Sequence, residues 1–302
     1  MAEQPQLTVP PRPGRDRRSE LRRRRIVALA LLALTAGAVA GAVVLALPHA
    51  RHKHVAPPPA AAPKPFRIVF PEGFTRVQMA QRVATVARIA DGEGRGHVRL
   101  TAASYLVATR RARVPCFGKA IQTDLEGFLF PATYDFLPAT TSRQLVAMQL
   151  QAFCAQWRTV GLAYARSKNL TAYDVLKIAS MVEREAAVPA ERPLISAVMY
   201  NRLHARMPLG IDATLRYGLH ISPDRSILQS QLASPSPYNT RVHQGLPPTP
   251  IANPGLASLI AAAHPAKVDY LFYVRKPDKL HDYFTSSASD FYRYECAHGY
   301  GC

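Results

Sequence analysis

Acidic residues are scarce. Twenty Asp and Glu stand against 38 Lys and Arg in 302 residues, a formal charge of +18. Only four cysteines occur, with no Cys-x-x-Cys pair, and the chain contains neither a Walker loop nor a Gly-x-Gly-x-x-Gly fingerprint. These absences exclude zinc-ribbon, P-loop and Rossmann readings. A charge of +18 would by itself suggest nucleic acid or an anionic surface as partner. Its distribution argues otherwise, because residues 1–64 hold 11 basic and 3 acidic residues while 27 and 17 are left for residues 65–302. The length allows one or two domains with a substantial core.

What the chain does have is one long apolar run. Residues 26–47 (IVALALLALTAGAVAGAVVLAL) are 22 residues without a charge, which as a helix span roughly 30 Å, the hydrocarbon thickness of a bilayer. Arg12, Arg15, Arg17, Arg18 and Arg22 to Arg25 precede it. The positive-inside rule then puts residues 1–25 in the cytoplasm and the chain after residue 48 outside, in a cell-membrane protein of one pass. The run exceeds the apolar core of a cleaved signal peptide, about 7–15 residues, so an uncleaved anchor is expected. Topology and anionic lipid account for the arginines without nucleic acid. His49, His52 and His54 read as a polar juxtamembrane stretch with nothing to fix a metal geometry. Residues 48–65 are a linker, Pro/Ala-rich from Val55 and expected as extended polyproline II.

The rest reads as α+β, a small α/β module followed by a larger, mainly helical domain with a few short strands. Phe66–Phe70 predicts a strand and Pro71-Glu72-Gly73 a turn. The spacing Thr75-x-x-Gln78 predicts a capping box for a helix over 76–90. Asp91–Gly96 is a loop, Thr101 caps a second helix, and a return strand is expected near 127–136. Helices are expected over 142–158, 172–187, 194–206 and 254–263, with a strand at 270–274. Cys116, Cys154, Cys296 and Cys302 lie beyond the apolar run, where disulfides persist. Of three full pairings, sequence proximity favours Cys116–Cys154 with Cys296–Cys302. No cysteine has the context of a thiol nucleophile.

Chemistry concentrates in one helix, opened by Thr171-x-x-Asp174. At 100° per residue, Val175, Ile178, Ala179, Val182 and Ala186 share an arc about 100° wide, the core stripe. Glu185 lies about 20° outside it, and Glu183 points about 160° away from Glu185. A carboxyl group bordering an apolar face keeps its proton more tightly, as a general acid must. The competing reading makes Glu185 a structural partner of Arg184 or Arg202.

Ile178–Gly218 (IASMVEREAAVPAERPLISAVMYNRLHARMPLGIDATLRYG), with Leu125-Glu126-Gly127-Phe128 and Pro131, resembles the YceG-like family of endolytic murein transglycosylases. Pro71-Glu72-Gly73, Pro237-Tyr238-Asn239-Thr240, Gly245-Leu246-Pro247-Pro248, Pro250–Gly255 and Ala261–Lys267 extend the match over roughly 66–292. The resemblance implies cleavage of nascent peptidoglycan glycan strands without water, leaving a 1,6-anhydro-N-acetylmuramoyl end and terminating elongation. It implies no cofactor and no metal. Its partners would be the strands themselves, the cytoplasmic membrane and cell-wall synthases. It makes Glu185, second Glu of Val182-Glu183-Arg184-Glu185, the acid and then the base, and it makes residues 66–112 LysM-like, 113–292 catalytic and 293–302 a cysteine-containing tail without counterpart. Glu126 and Asp212 are the other acids in matching motifs, each open to a structural reading as a turn or capping residue. Asn201, Tyr217, Tyr238, Asn239 and Thr240 are candidates for sugar contact, since aromatic faces and amides suit sugar rings; the alternative for each is packing or a turn. Arg202 beside Asn201 gets the same smaller weight, Pro247-Pro248 stiffens a loop, and His264 reads as a helix-terminal or core histidine. Gly210-Ile211-Asp212-Ala213 departs from the Gln-x-Asp-Pro of many relatives and lacks a hydrogen-bonding Gln. A hydrolytic muramidase and a non-catalytic LysM-type wall-binding or division scaffold are the alternatives.

Overall fold

The computed structural model describes residues 16–46, 64–94, 96–110, 113–117, 124–222 and 224–300. The chain divides into two compact units, 1–62 and 63–302. In the first, helix α1 runs Asp16–Ala46 through the apolar run. Its side chains from 19 to 38 are exposed and include Arg22–Arg25. Among the described residues no helix is long and apolar enough to cross a membrane. His49, His52, His54, most of the 48–65 linker and Cys302 lie outside the described residues.

The second unit begins with β1 (Phe66–Val69), α2 (Arg76–Gly92) and α3 (Ala102–Ala108). The return strand is β2 (Thr133–Phe136), antiparallel to β1 from Phe66↔Phe136 to Val69↔Thr133. Then come α4 (Ser142–Trp157), α5 (Ala163–Ser167), α6 (Ala172–Glu185), α7 (Arg192–His204), α8 (Asp212–Gly218), α9 (Gln229–Leu232) and α10 (Leu256–Ala263). A hairpin of β3 (Phe272–Arg275) and β4 (Asp282–Thr285) and helix α11 (Ala288–Ala297) close the unit. Among the described residues, two short antiparallel sheets amid helices make this a mixed α+β fold. The expected strand–helix–helix order at its start is present, and its sheet closes through β2.

The helices start where their caps are written. Thr75, Thr101, Thr141 and Thr171 each accept from the N–H three residues on, and the side chain at that position reaches back to the Thr N–H. Each such box satisfies two otherwise orphaned donors. The chemistry-bearing helix ends at Glu185, two residues earlier than expected. Ala186 takes an extended backbone (φ −73°, ψ 116°), and Pro189 disfavours helix at the residue before it.

α6 packs between α10 and α7 and is buried more widely than one stripe: Leu176, Ser180 and Met181 are as dry as Val175, Ile178, Ala179 and Val182. An aromatic cluster of Phe117, Phe128, Phe153 and Trp157 fills the core beneath α4. Cys116 and Cys154 are disulfide-bonded across it, 38 residues apart, a closure worth about 4 kcal/mol on a chain-entropy basis. Cys296, in α11, is also disulfide-bonded. The tail expected to begin at 293 is thus partly helix, and Tyr294 stacks on Tyr283 of β4 with ring centres 4.1 Å apart.

Candidate active site

Glu185 ends α6, where the last carbonyls of a helix need partners from elsewhere. Arg275 of β3 supplies one, its Nη2 donating to the Glu185 carbonyl oxygen at 3.0 Å. Two residues earlier on the strand, on the same face because strand side chains alternate, the Tyr273 hydroxyl donates to Glu185 Oε2 at 3.1 Å. Glu185 as a whole is of intermediate exposure. Burial raises its pKa, and the charges of Asp212 and Asp282 raise it further, against the Tyr273 hydroxyl and the Ala213 N–H. Neither Arg184 nor Arg202 pairs with it. Arg184 Nη1 reaches the Gly73 carbonyl at 3.4 Å, while Arg202 donates to the carbonyls of Leu271 and Leu209 at 2.6 and 2.7 Å. Among the described residues no ion pair holds the Glu185 carboxylate.

Asp212 opens α8 and is gripped by Arg241, whose Nε lies 2.9 Å from Oδ1. The next residue, Ala213, has its N–H near Glu185, which favours the charged carboxylate. Behind the hairpin, Arg275 also pairs with Asp282 at 3.2 Å. Glu191 accepts the Asp282 N–H at 3.1 Å. Burial pushes Asp282 up to about 6 despite Arg275, with the facing Glu191 adding to the rise. Glu183, as expected, looks elsewhere: its Oε2 accepts the Gly255 N–H at the start of α10, and its Oε1 lies 3.7 Å from Arg192.

On the other side of Ala213 lies a cleft of about 420 Å3 between the first turn of α2 and α8. Glu126 is at its floor, buried. It accepts from the Arg76 N–H through both oxygens (3.0 and 3.1 Å), from Asn253 Nδ2 (2.8 Å) and from the Tyr217 hydroxyl (3.2 Å). Burial nonetheless drives its pKa up to about 8. Asn253 binds three motifs together: Oδ1 accepts the N–H groups of Gly127 and Leu129, and Nδ2 also reaches the Phe74 carbonyl. Gly127 has φ +89°, and a Cβ there would stand 2.6 Å from Pro250. Glu185 itself is not a wall of this cleft; Ala213 and Arg184 are.

The structure gathers Glu185 and Asp212 at one end of α8, and Glu126 and Tyr217 at the adjoining cleft. Tyr238 rests against Tyr217, ring centres 5.2 Å apart, and bonds the Thr249 hydroxyl. The remaining sugar-contact candidates are engaged in the fold. Asn201 holds the carbonyls of Val268 and Tyr270. Asn239 is buried on the carbonyls of Leu232 and Ser234. Thr240 is buried, its hydroxyl accepting the Ile211 N–H and meeting Thr214 beneath α8. His264 caps the end of α10. Among the described residues no three His, Cys, Asp or Glu are placed to hold a metal. Tyr273, Arg275 and Arg241 had not been singled out. The strand at 270–274 was legible and its alternation pairs 273 with 275, but nothing local says which helix that face meets.

Comparison with known proteins places the chain. A model of the YceG-like family matches residues 42–295. The endolytic murein transglycosylase of Bacillus subtilis (strain 168) is 40% identical over 163 residues, which are 53% of this chain and 44% of that protein. That of Streptococcus pneumoniae (strain R6) is 31% identical over 245 residues, 74% of this chain and 43% of that protein. The chain thus spans less than half the length of these curated relatives. A crystal structure of a YceG-like protein from Listeria monocytogenes superposes with a TM-score of 0.62 at 27% identity, covering 77% of each chain. With the family's pattern running through both halves of the site just described, the chain belongs to the YceG-like family.

Proposed function

We propose that this protein is a peptidoglycan lytic transglycosylase that cuts glycan strands internally with Glu185 as its one acid and base. The observation that carries this reading is the setting of Glu185: a half-buried residue whose carboxyl group has a raised pKa, no cationic partner among the described residues, and a tyrosine hydroxyl on one oxygen. A carboxyl group so placed holds a proton to give away, and returns to carboxylate without a salt bridge to stop it.

The bond between the muramoyl anomeric carbon and the bridging oxygen breaks, with its electron pair and the Glu185 proton going to that oxygen. The sugar's own 6-hydroxyl attacks the anomeric carbon, and its proton passes to the Glu185 carboxylate. The products are a free 4-hydroxyl and a 1,6-anhydro-N-acetylmuramoyl end, and the enzyme regains its starting protonation. The Tyr273 hydroxyl and Ala213 N–H steady the carboxylate between the two transfers. Asp212, held in place by Arg241, lends its negative charge against the positive charge developing at the anomeric carbon. No water is activated, so the paired carboxylates of hydrolytic glycosidases, about 5–9.5 Å apart, are not needed.

The anchor belongs to the same proposal. Residues 26–47 hold the enzyme in the cytoplasmic membrane with the 63–302 unit outside. The exposed apolar side chains of α1, Leu29, Leu32 and Leu34 among them at 68–71% exposure, support this, since such a stripe is costly in water. The β1–α2–α3–β2 order supports a LysM-like role for the start of that unit, and cell-wall synthases are the expected neighbours.

Mass spectrometry of peptidoglycan digested by the full chain tests the reaction. Anhydro ends are expected, and Glu185→Gln should lower their formation by roughly a thousandfold. Reducing ends would mean a muramidase with Asp212 as second carboxylate. A Glu185→Gln variant as active as wild type would remove the acid from the mechanism, and a wild type without any cleavage would leave a wall-binding protein.

A further inference from the structure

The cleft over Glu126 is not needed for breaking the bond, yet it adjoins the residue that would break it. Ala213 lines it and has its N–H near Glu185, and Arg184, also lining it, precedes Glu185 in the chain. A strand lying across Glu185 therefore presents whatever branches from its sugars to this opening. About 420 Å3 falls within the usual range for small-ligand sites.

Charge says what kind of branch. Among the described residues three arginines line the cleft, Arg76, Arg184 and Arg216, against the carboxyl groups of Asp124 and Glu126, the latter with its pKa raised by burial. That leaves positive charge in excess. Arg76 is committed to Asp124 at 2.8 Å and to Thr109 and the Leu106 carbonyl. Arg216 is committed to the carbonyls of Ser222 and Arg225. Arg184 has one long bond, to the Gly73 carbonyl, and no ion pair among the described residues. Arg184 is exposed, and its guanidinium has donors to offer in the geometry that carboxylates match.

Resting on the reading of Glu185 as a glycan-cutting acid, we propose that this cleft is a subsite for a carboxylate-bearing branch of the strand, with Arg184 as its specificity-determining residue. N-acetylated sugar rings are uncharged, so the carboxylate marks the branch on the muramoyl unit. It comes either from the bare lactyl group or from a peptide attached to it.

The test measures binding to the full chain carrying Glu185→Gln, so that cleavage does not consume the ligand. The probes are three soluble oligosaccharides of one length: muramoyl strands with peptides, the same strands stripped to lactyl carboxylates by an amidase, and a neutral N-acetylglucosamine oligomer. At least one acidic probe should bind about tenfold tighter than the neutral one, weakening with added salt. Whichever acidic probe keeps the advantage identifies the source. Adding Arg184→Gln should abolish the advantage and leave neutral binding unchanged, and Arg184→Lys should restore part of it. Equal binding of all three probes, no binding at all, or an advantage that survives Arg184→Gln overturns the subsite. Loss of anhydro ends in the wild-type digest with the Arg184-dependent advantage intact would sink only the proposed reaction.

Discussion

The hydroxyl of Tyr273 and the carboxyl of Glu185 set each other's titration. Burial pushes the tyrosine far above its ordinary value, with the Glu185 charge adding to the rise, and its O–H in turn favours the Glu185 carboxylate. Tyr273→Phe removes that donor, so Glu185 should hold its proton to higher pH. The basic limb of the pH–rate profile is expected to move upward, with kcat reduced roughly tenfold at the optimum. A profile unchanged in position would show that this hydrogen bond is not made during turnover. Glu126 offers a stability counterpart. Its folded value of about 8 stands above the unfolded 4.5, so the native state keeps a proton that the unfolded chain releases in between. The stabilisation present below about 4.5 is lost as pH rises through about 8. Glu126→Gln should flatten this part of the slope in urea denaturation at several pH values, because a neutral amide can still accept from Asn253 and meet Tyr217. At this scale Glu185 was the most legible residue, since helix angle and motif both pointed to it. Asn201, Asn239 and Thr240 show why sugar contacts are hard to read from residue type: amides and hydroxyls that suit a sugar also suit orphan backbone groups, and here carbonyls and N–H groups of neighbouring loops engage them.

At the scale of elements, capping boxes and apolar periodicity located α2, α4, α6 and α7 to within a few residues. α8, β4 and α9 went unrecognised. At seven residues or fewer they carry too little periodicity to stand out, and α8 has no side-chain cap at its start. Yet α8 carries Asp212, the Ala213 donor and Tyr217, and divides the acid from the cleft. The turn at Gly127 shows how tightly the loops around it are fitted. Gly127→Ala would force a left-handed backbone on a residue with a Cβ and drive that Cβ into Pro250. A loss of about 3 kcal/mol is expected, visible as a lowered denaturation midpoint. A variant as stable as wild type would mean that the Leu125–Phe128 and Pro250–Gly255 loops have room to separate.

On the scale of the whole molecule, the sequence reads as a basic tail, an apolar helix and a folded unit; the structure divides into units 1–62 and 63–302, with α1 running from Asp16 in the tail through most of the apolar run. If α1 anchors the protein, the full chain should sediment with membranes and be released by detergent, while a chain beginning at residue 63 should stay in the supernatant. Equal recovery of both in the supernatant would contradict the anchor. What the sequence could not reveal is how far apart in the chain the parts of the site lie. Tyr273 and Arg275 come from 88 and 90 residues beyond Glu185.

That separation bears on how the protein is made. A ribosome completes α6 long before it reaches the hairpin that clasps the helix's final turn. Through that interval the acid has neither its phenol nor its guanidinium clasp. A polypeptide cut short ahead of β3 would carry every residue of the central motif and still lack the surroundings that ready its proton for use.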